Sequence, residues 1–152
     1  MHLEYLLEFS VEFETAISIG EDPLGERIIA DLTGGSFEGP KLKGKLRASG
    51  ADWILLSPEG NLRLDVRAVL ETDDGAVIYM PYRGIMVMRD KLRKVLFERT
   101  GETGSSDGYW VTQLQFETGD ERYTWLNNVK AVAEGTIAPN KASYRVYAVE
   151  AG

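Results

Sequence analysis

Leu3, Tyr5, Leu7, Phe9, Val11 and Phe13 alternate with Glu4, Leu6, Glu8, Ser10, Glu12 and Glu14, a repeat of two residues and not of 3.6. Successive side chains of an extended chain point to opposite faces, so the segment predicts a long, half-buried strand. The same repeat returns at Leu62, Leu64, Val66, Ala68 and Leu70 against Arg63, Asp65, Arg67, Val69 and Glu71, and again at Tyr144, Val146 and Ala148. Shorter strands are expected over 27–33, 42–48, 52–56, 76–82, 85–88, 109–118 and 129–135. Between them stand Asp22-Pro23, Gly34-Gly35, Gly39-Pro40, Ser49-Gly50, Pro58-Glu59-Gly60-Asn61, Asp73-Asp74-Gly75 and Pro139-Asn140, residue pairs that favour turns. Turn signals about every ten residues predict an antiparallel sandwich or barrel, and the pattern alone does not choose between them.

Two helical pieces interrupt the strands. Arg89–Arg99 puts Leu92, Val95 and Leu96 on one face among basic residues, the pattern of a short amphipathic helix that is either a lid or a solvated face, with a strand as the alternative. Thr118-Gly119-Asp120-Glu121 has the spacing of a capping box, predicting a turn or two of helix through Tyr123–Leu126 that plugs one end of the fold and ends at Asn127. The Gly- and Ser-rich stretch 100–108 predicts a mobile loop.

At 152 residues, with no repeat and no linker, the chain is expected to form one domain over 1–152. It has no cysteine and one histidine, His2. That removes the residues for Cys/His zinc sites, thiol nucleophiles and Ser-His-Asp triads. Its 17 basic and 24 acidic residues leave a charge of −7, the wrong sign for tracking phosphates, so no nucleic-acid partner is expected. Glu4 and Glu8 break any secretory apolar core, and no apolar run approaches the roughly 20 residues of a membrane span. A cytoplasmic protein without a membrane partner is therefore expected. Gly34-Gly35 and Gly39 lack the Gly-Lys-Ser/Thr ending of a phosphate loop, so no nucleotide cofactor is expected either.

A closed barrel removes exposed strand edges, and a small barrel enclosing one ligand needs a few polar groups among apolar walls. Asp65 with Arg67, and Gln113 with Gln115 and Glu117, supply polar groups near Trp53, Tyr79, Tyr82, Tyr109, Trp110 and Trp125. Seven segments then carry a resemblance: Leu3–Leu6, Leu32–Pro40, Gly50–Trp53, Leu64–Arg67, Thr72–Tyr79, Phe116–Thr118 and Tyr123–Asn127. In order along the chain, they resemble the bacterial domain-of-unknown-function family thirty-two thirty-seven. The resemblance implies an all-β, closed antiparallel, calycin-like barrel related to lipocalins, here of about eight to ten strands with one or two short helices, and no established activity. Leu114 stands where that family tends to carry proline, which bears on where Gln113 and Gln115 point.

The candidate site residues follow. Asp65 and Arg67 share a strand face that is either an ion-paired outer stripe with Arg63 and Glu71 or a cavity lining. Glu117 is either a cavity carboxylate or a charge answering a helix dipole. Asp52 reads as a turn carboxylate beside a core tryptophan, Trp53, and alternatively as a ligand contact. Tyr82-Arg83-Gly84 offers a phenol and a guanidinium at a barrel mouth, or simply flanks a glycine bend. The leading expectation is a cofactor-independent lyase, isomerase or cyclase acting on an apolar or aromatic small molecule. In it Glu117 or Asp65 moves the proton, Arg67, Arg83 or Tyr82 stabilises oxyanion charge, and Asp52, Trp53, Tyr79, Tyr109, Phe116 and Trp125 contact the ligand. The rival is a non-catalytic carrier barrel. A third class, an interaction module with an exposed Trp110 and no cavity, is also compatible, and exposed aromatics make a homodimer possible.

Overall fold

The computed structural model describes residues 1–104 and 107–152. The strands are β1 (His2–Asp22), β2 (Gly25–Glu38), β3 (Lys43–Leu46), β4 (Ala51–Leu56), β5 (Leu62–Thr72), β6 (Val77–Met86), β7 (Trp110–Leu114), β8 (Ala131–Ala138) and β9 (Lys141–Glu150). All their pairings are antiparallel. β1 bonds to β9 on one side and β2 on the other, and the ladder continues through β8, β7, β6 and β5 to β3 and β4 and back to β2, so the sheet closes into a barrel. Two short strands share one position in the wall: β2 pairs with β4 over Glu26–Asp31 and with β3 over Gly35–Glu38. Closure satisfies the strand edges that an open sheet would leave bare.

Period two sets what points inward. On β5, Leu62, Leu64, Val66, Ala68 and Leu70 are buried, while Arg63 and Arg67 are exposed and Asp65 is half-exposed. The inward rows of β1 (Leu7, Phe9, Val11) and β9 (Tyr144, Val146, Ala148) meet them in one core. Strands expected over 76–82 and 85–88 are one strand, β6, because Gly84 continues the ladder opposite both Leu64 and Thr112. The Gly34-Gly35 turn is not there either: β2 runs straight through it, and a register shift opposite Glu12/Phe13 makes it a bulge. At Gly35 (φ +152) a Cβ would sit 2.0 Å from the Ser10 carbonyl oxygen, so the glycine permits the close approach of β1 and β2.

Each barrel end has a cover. At one, α1 (Asp90–Arg93) runs into a π-helical turn, Lys94–Glu98, with Leu92 and Val95 buried and Lys91, Arg93 and Lys94 exposed. The amphipathic reading of 89–99 holds here. At the other end a 3-10 helix, Thr124–Asn128, drives Leu126 into the core with no exposed surface. The capping box expected before it does not form: the Thr118 amide is taken by Asn127 Oδ1 at 2.8 Å, and Asn127 Nδ2 donates to the Thr118 carbonyl at 2.9 Å. Asn127 is thus a clamp on the incoming loop and not the helix end. Asn127→Ala is expected to lower stability by about 1–2 kcal/mol, read by urea unfolding, since both backbone groups lose their partner. In the expected loop 100–108, Thr103 lies alongside β8, its amide donating to the Ile137 carbonyl and its hydroxyl accepting from the Ile137 amide, both at 2.9 Å, while Ser105 and Ser106 lie outside the described residues. Among the described residues, no helix is long and apolar enough to cross a membrane.

Candidate active site

Inside the barrel, below the π-helical turn, lies a cavity of about 70 Å3. Every position in the wall except the short β3 contributes to it: Val11 and Phe13, Ala30 and Leu32, Asp52 and Ile54, Leu62 and Leu64, Met86, Trp110, Ile137, Ala142 and Tyr144, with Leu96 from the helical cover. Among the lining residues Asp52, Tyr144 and Trp110 carry polar groups, and the rest are apolar. Pockets that enclose a drug-sized ligand run to roughly 300–1,000 Å3, so an occupant larger than a few waters requires the Leu96 side of the wall to move.

Asp52 is brought there by an opening in the ladder. β4 and β5 pair at Ala51↔Arg67 and Asp52↔Val66, then again only at Leu55↔Arg63. In the gap the Asp65 amide donates to Asp52 Oδ1 at 3.2 Å, so a side-chain carboxyl replaces a backbone acceptor. Burial pushes the Asp52 carboxyl up to about 7, against the opposing pull of the Asp65 amide and with help from the Asp65 charge. Beside it stand two phenols. Burial raises Tyr82, with the Asp52 charge acting the same way and the Tyr144 hydroxyl against it. Tyr144 is raised well above its usual value by burial, by Tyr82 and by Asp52. Both phenols are therefore neutral donors at any physiological pH, and a carboxyl poised near neutrality is the one group able to exchange a proton there.

The rings are held by packing. Phe9 stacks on Tyr144 with centroids 4.6 Å apart, and Tyr82 and Trp110 meet Tyr144 edge-on at 5.3 and 5.2 Å. Small inward residues make the space: a Cβ on Gly135 would lie 2.6 Å from the Trp110 ring. Trp110 is buried and Nε1 has no acceptor among the described residues, as is true of Thr112 Oγ1.

The residues expected at the site divide. Tyr82 and Phe116 are buried in the interior, and Asp52 reaches the cavity. Asp65, Arg67, Tyr79 and Arg83 instead gather with Gln113 and Gln115 around an outer depression of about 280 Å3 on β5, β6 and β7. They sit at odd-numbered positions, which the strand parity of this barrel turns outward. There Arg83 Nε lies 3.5 Å from Asp65 Oδ1 and Arg67 lies 5.5 Å from the Trp53 ring centroid. Glu117 is exposed and pairs backbone to backbone with Tyr79. Tyr109 is exposed, and Trp125 is half-buried under Lys41, 5.0 Å from its ring. The structure does not bring Glu117, Asp65, Arg67 or Arg83 to the cavity. A larger trough, about 730 Å3, lies open on the outer face between β9, β1, β2 and β3 and is lined by Glu8, Glu38, Glu134 and Arg145; water screens its charges. Tyr144 was not among the expected site residues, although its place with Val146 and Ala148 on an apolar strand face was the signal. Trp110, read as exposed in the interaction-module alternative, is buried because its side chain fills the space over Gly135.

The pattern of the family described as a protein of unknown function, DUF3237, matches residues 1–149. The chain belongs to that family. A β-barrel-like protein from Acinetobacter baumannii superposes with a TM-score of 0.83 at 33% identity, over 98% of this chain and 96% of that one. A UPF0311 protein of Rhodopseudomonas palustris is 32% identical over 127 residues, 83% of this chain and 82% of its own length. More distant is a hydroalkoxylation enzyme of Penicillium herquei, 26% identical over 130 residues, 86% of this chain and 71% of its own length. The family is uncharacterised and has a barrel fold; one of its distant relatives is named as an enzyme.

Proposed function

We propose that the barrel is a cofactor-independent acid/base enzyme whose proton-transferring group is Asp52, working on an apolar or aromatic small molecule in the interior cavity. One observation carries the reading: a carboxyl held in an apolar chamber and pushed up to about 7, next to two neutral phenols. Such a carboxyl is protonated often enough to donate and ionised often enough to accept at neutral pH. The hydrogen-bonded phenols of Tyr144, a lining residue, and Tyr82 beside it supply the donor for developing oxyanion charge, the part first expected of Arg67, Arg83 or Tyr82.

The enzyme name of the Penicillium relative supports addition of a hydroxyl across a carbon–carbon double bond as the reaction type. The Asp52 carboxyl proton goes to one alkene carbon as the π bond breaks, the substrate hydroxyl oxygen bonds the other carbon, and the hydroxyl proton returns to the Asp52 carboxylate. Atoms and protons balance with no co-reactant. A panel of hydroxyalkenes and enolisable aryl ketones incubated in D2O, with deuterium incorporation read by mass spectrometry, tests the reading. Wild type is expected to label or cyclise at least one member and Asp52→Asn none; equal labelling by both proteins, or none by either, would overturn it and leave the carrier barrel in its place.

A further inference from the structure

We propose that this cavity selects an uncharged molecule carrying a carbonyl or ether oxygen and excludes carboxylates; the proposal rests on the cavity being the ligand site of the acid/base reading above. Among the described residues the lining contains no lysine, arginine or histidine. A buried carboxylate would thus have no cation to meet, would lose its hydration, and would lie beside Asp52, a like charge whenever that group is ionised. Arg67 and Arg83, expected from the sequence to stabilise oxyanion charge, are on the opposite side of the wall.

The remaining groups are rich in donors. Protonated Asp52 offers a hydroxyl, the Tyr82 and Tyr144 phenols share one hydrogen bond and so hold one proton between them that it does not use, and the Trp110 indole N–H lacks any partner among the described residues. A buried donor left unpaired is costly, so a ligand oxygen that accepts from it recovers that cost on binding. An ammonium, by contrast, would bring three N–H donors and lose its hydration to meet a single carboxyl, of which Oδ1 already accepts the Asp65 amide. Apolar walls on every side leave the rest of the ligand hydrocarbon.

Four probes of similar shape test this: acetophenone, toluene, benzoate and benzylamine, each titrated at pH 8 into wild type and into Leu96→Ala, which widens the cavity. Binding is read by NMR, with the Trp110 indole resonance assigned through Trp110→Phe. The expected result is acetophenone at least about tenfold tighter than benzoate, a shift of the Trp110 Nε1–H signal with acetophenone and not with toluene, and, in Trp110→Phe, acetophenone weakened up to about tenfold with toluene unchanged. Benzoate or benzylamine binding as tightly as acetophenone would overturn the proposal. So would equal weakening of toluene and acetophenone by Trp110→Phe, or the binding of no probe by Leu96→Ala. None of these readouts depends on turnover: an active Asp52→Asn would remove the acid/base reading with the selectivity intact, and a benzoate preference would do the reverse.

Discussion

Asp52→Asn is expected to lower turnover by roughly two to four orders of magnitude, the usual contribution of one positioned general acid or base, while ligand affinity changes little. Asparagine keeps an oxygen to accept the Asp65 amide and keeps the volume, but cannot exchange a proton. The same substitution should make the protein more stable at pH 8. Asp52 ionises near 4 when unfolded and at about 7 when folded, so the unfolded state releases its proton first as pH rises. Its contribution to stability therefore falls between about pH 4 and pH 7 and stays low above that. The penalty amounts to up to about 4 kcal/mol. The difference between Asp52→Asn and wild type in urea unfolding should be small at pH 4 and should grow through that window. A variant that loses activity and gains stability is the mark of a strained functional group, whereas an ordinary core polar residue would lose both.

Leu126→Ala is expected to cost about 2–5 kcal/mol, the range for deleting a fully buried leucine side chain into space the surroundings cannot refill. Leu126 has no exposed surface and comes from a short 3-10 helix held by the Asn127 clamp on Thr118. Its neighbours are barrel strands locked by pairing on both sides, so collapse into the void is limited. The loss should appear as a fall in the urea midpoint at unchanged slope, with the Asp52 end of the barrel retaining its proton affinity. A loss under about 1 kcal/mol would mean that the plug end of the barrel relaxes freely.

Strand parity made most of the strands and their inward rows legible from residue types, while closure into a barrel was legible only through the family resemblance. The rows Leu62–Leu70 and Leu7–Val11 face inward as their alternation requires, the helix at 90–98 lies where amphipathic spacing puts it, and the one at 124–128 forms without the capping box that suggested it. Gly34-Gly35 misled because a glycine pair serves a bulge as well as a turn, and only the approach of Ser10 distinguishes them. The site was harder to read. Asp65 and Arg67 were open between an ion-paired outer stripe and a cavity lining, and parity with the buried Leu64 and Val66 makes the outer stripe the outcome, which the resemblance to a family could not decide. On β4 the alternation is ambiguous, since Trp53 and Leu55 are as apolar as Ile54 and Leu56. Asp52 could therefore be placed inside only once the pairings with Ala30 and Val66 were known. Tyr144 was legible as an inward residue but not as a functional one, because its meaning comes from Asp52 across the barrel.

A carbon-13 NMR titration of the Asp52 carboxyl, assigned by its disappearance in Asp52→Asn, is the decisive measurement of whether that group works as an acid and base. A midpoint near 7 that moves on ligand binding is the predicted result. A midpoint near 4, insensitive to ligand, would place Asp52 in contact with water and contradict the assignment of the interior cavity as an acid/base site.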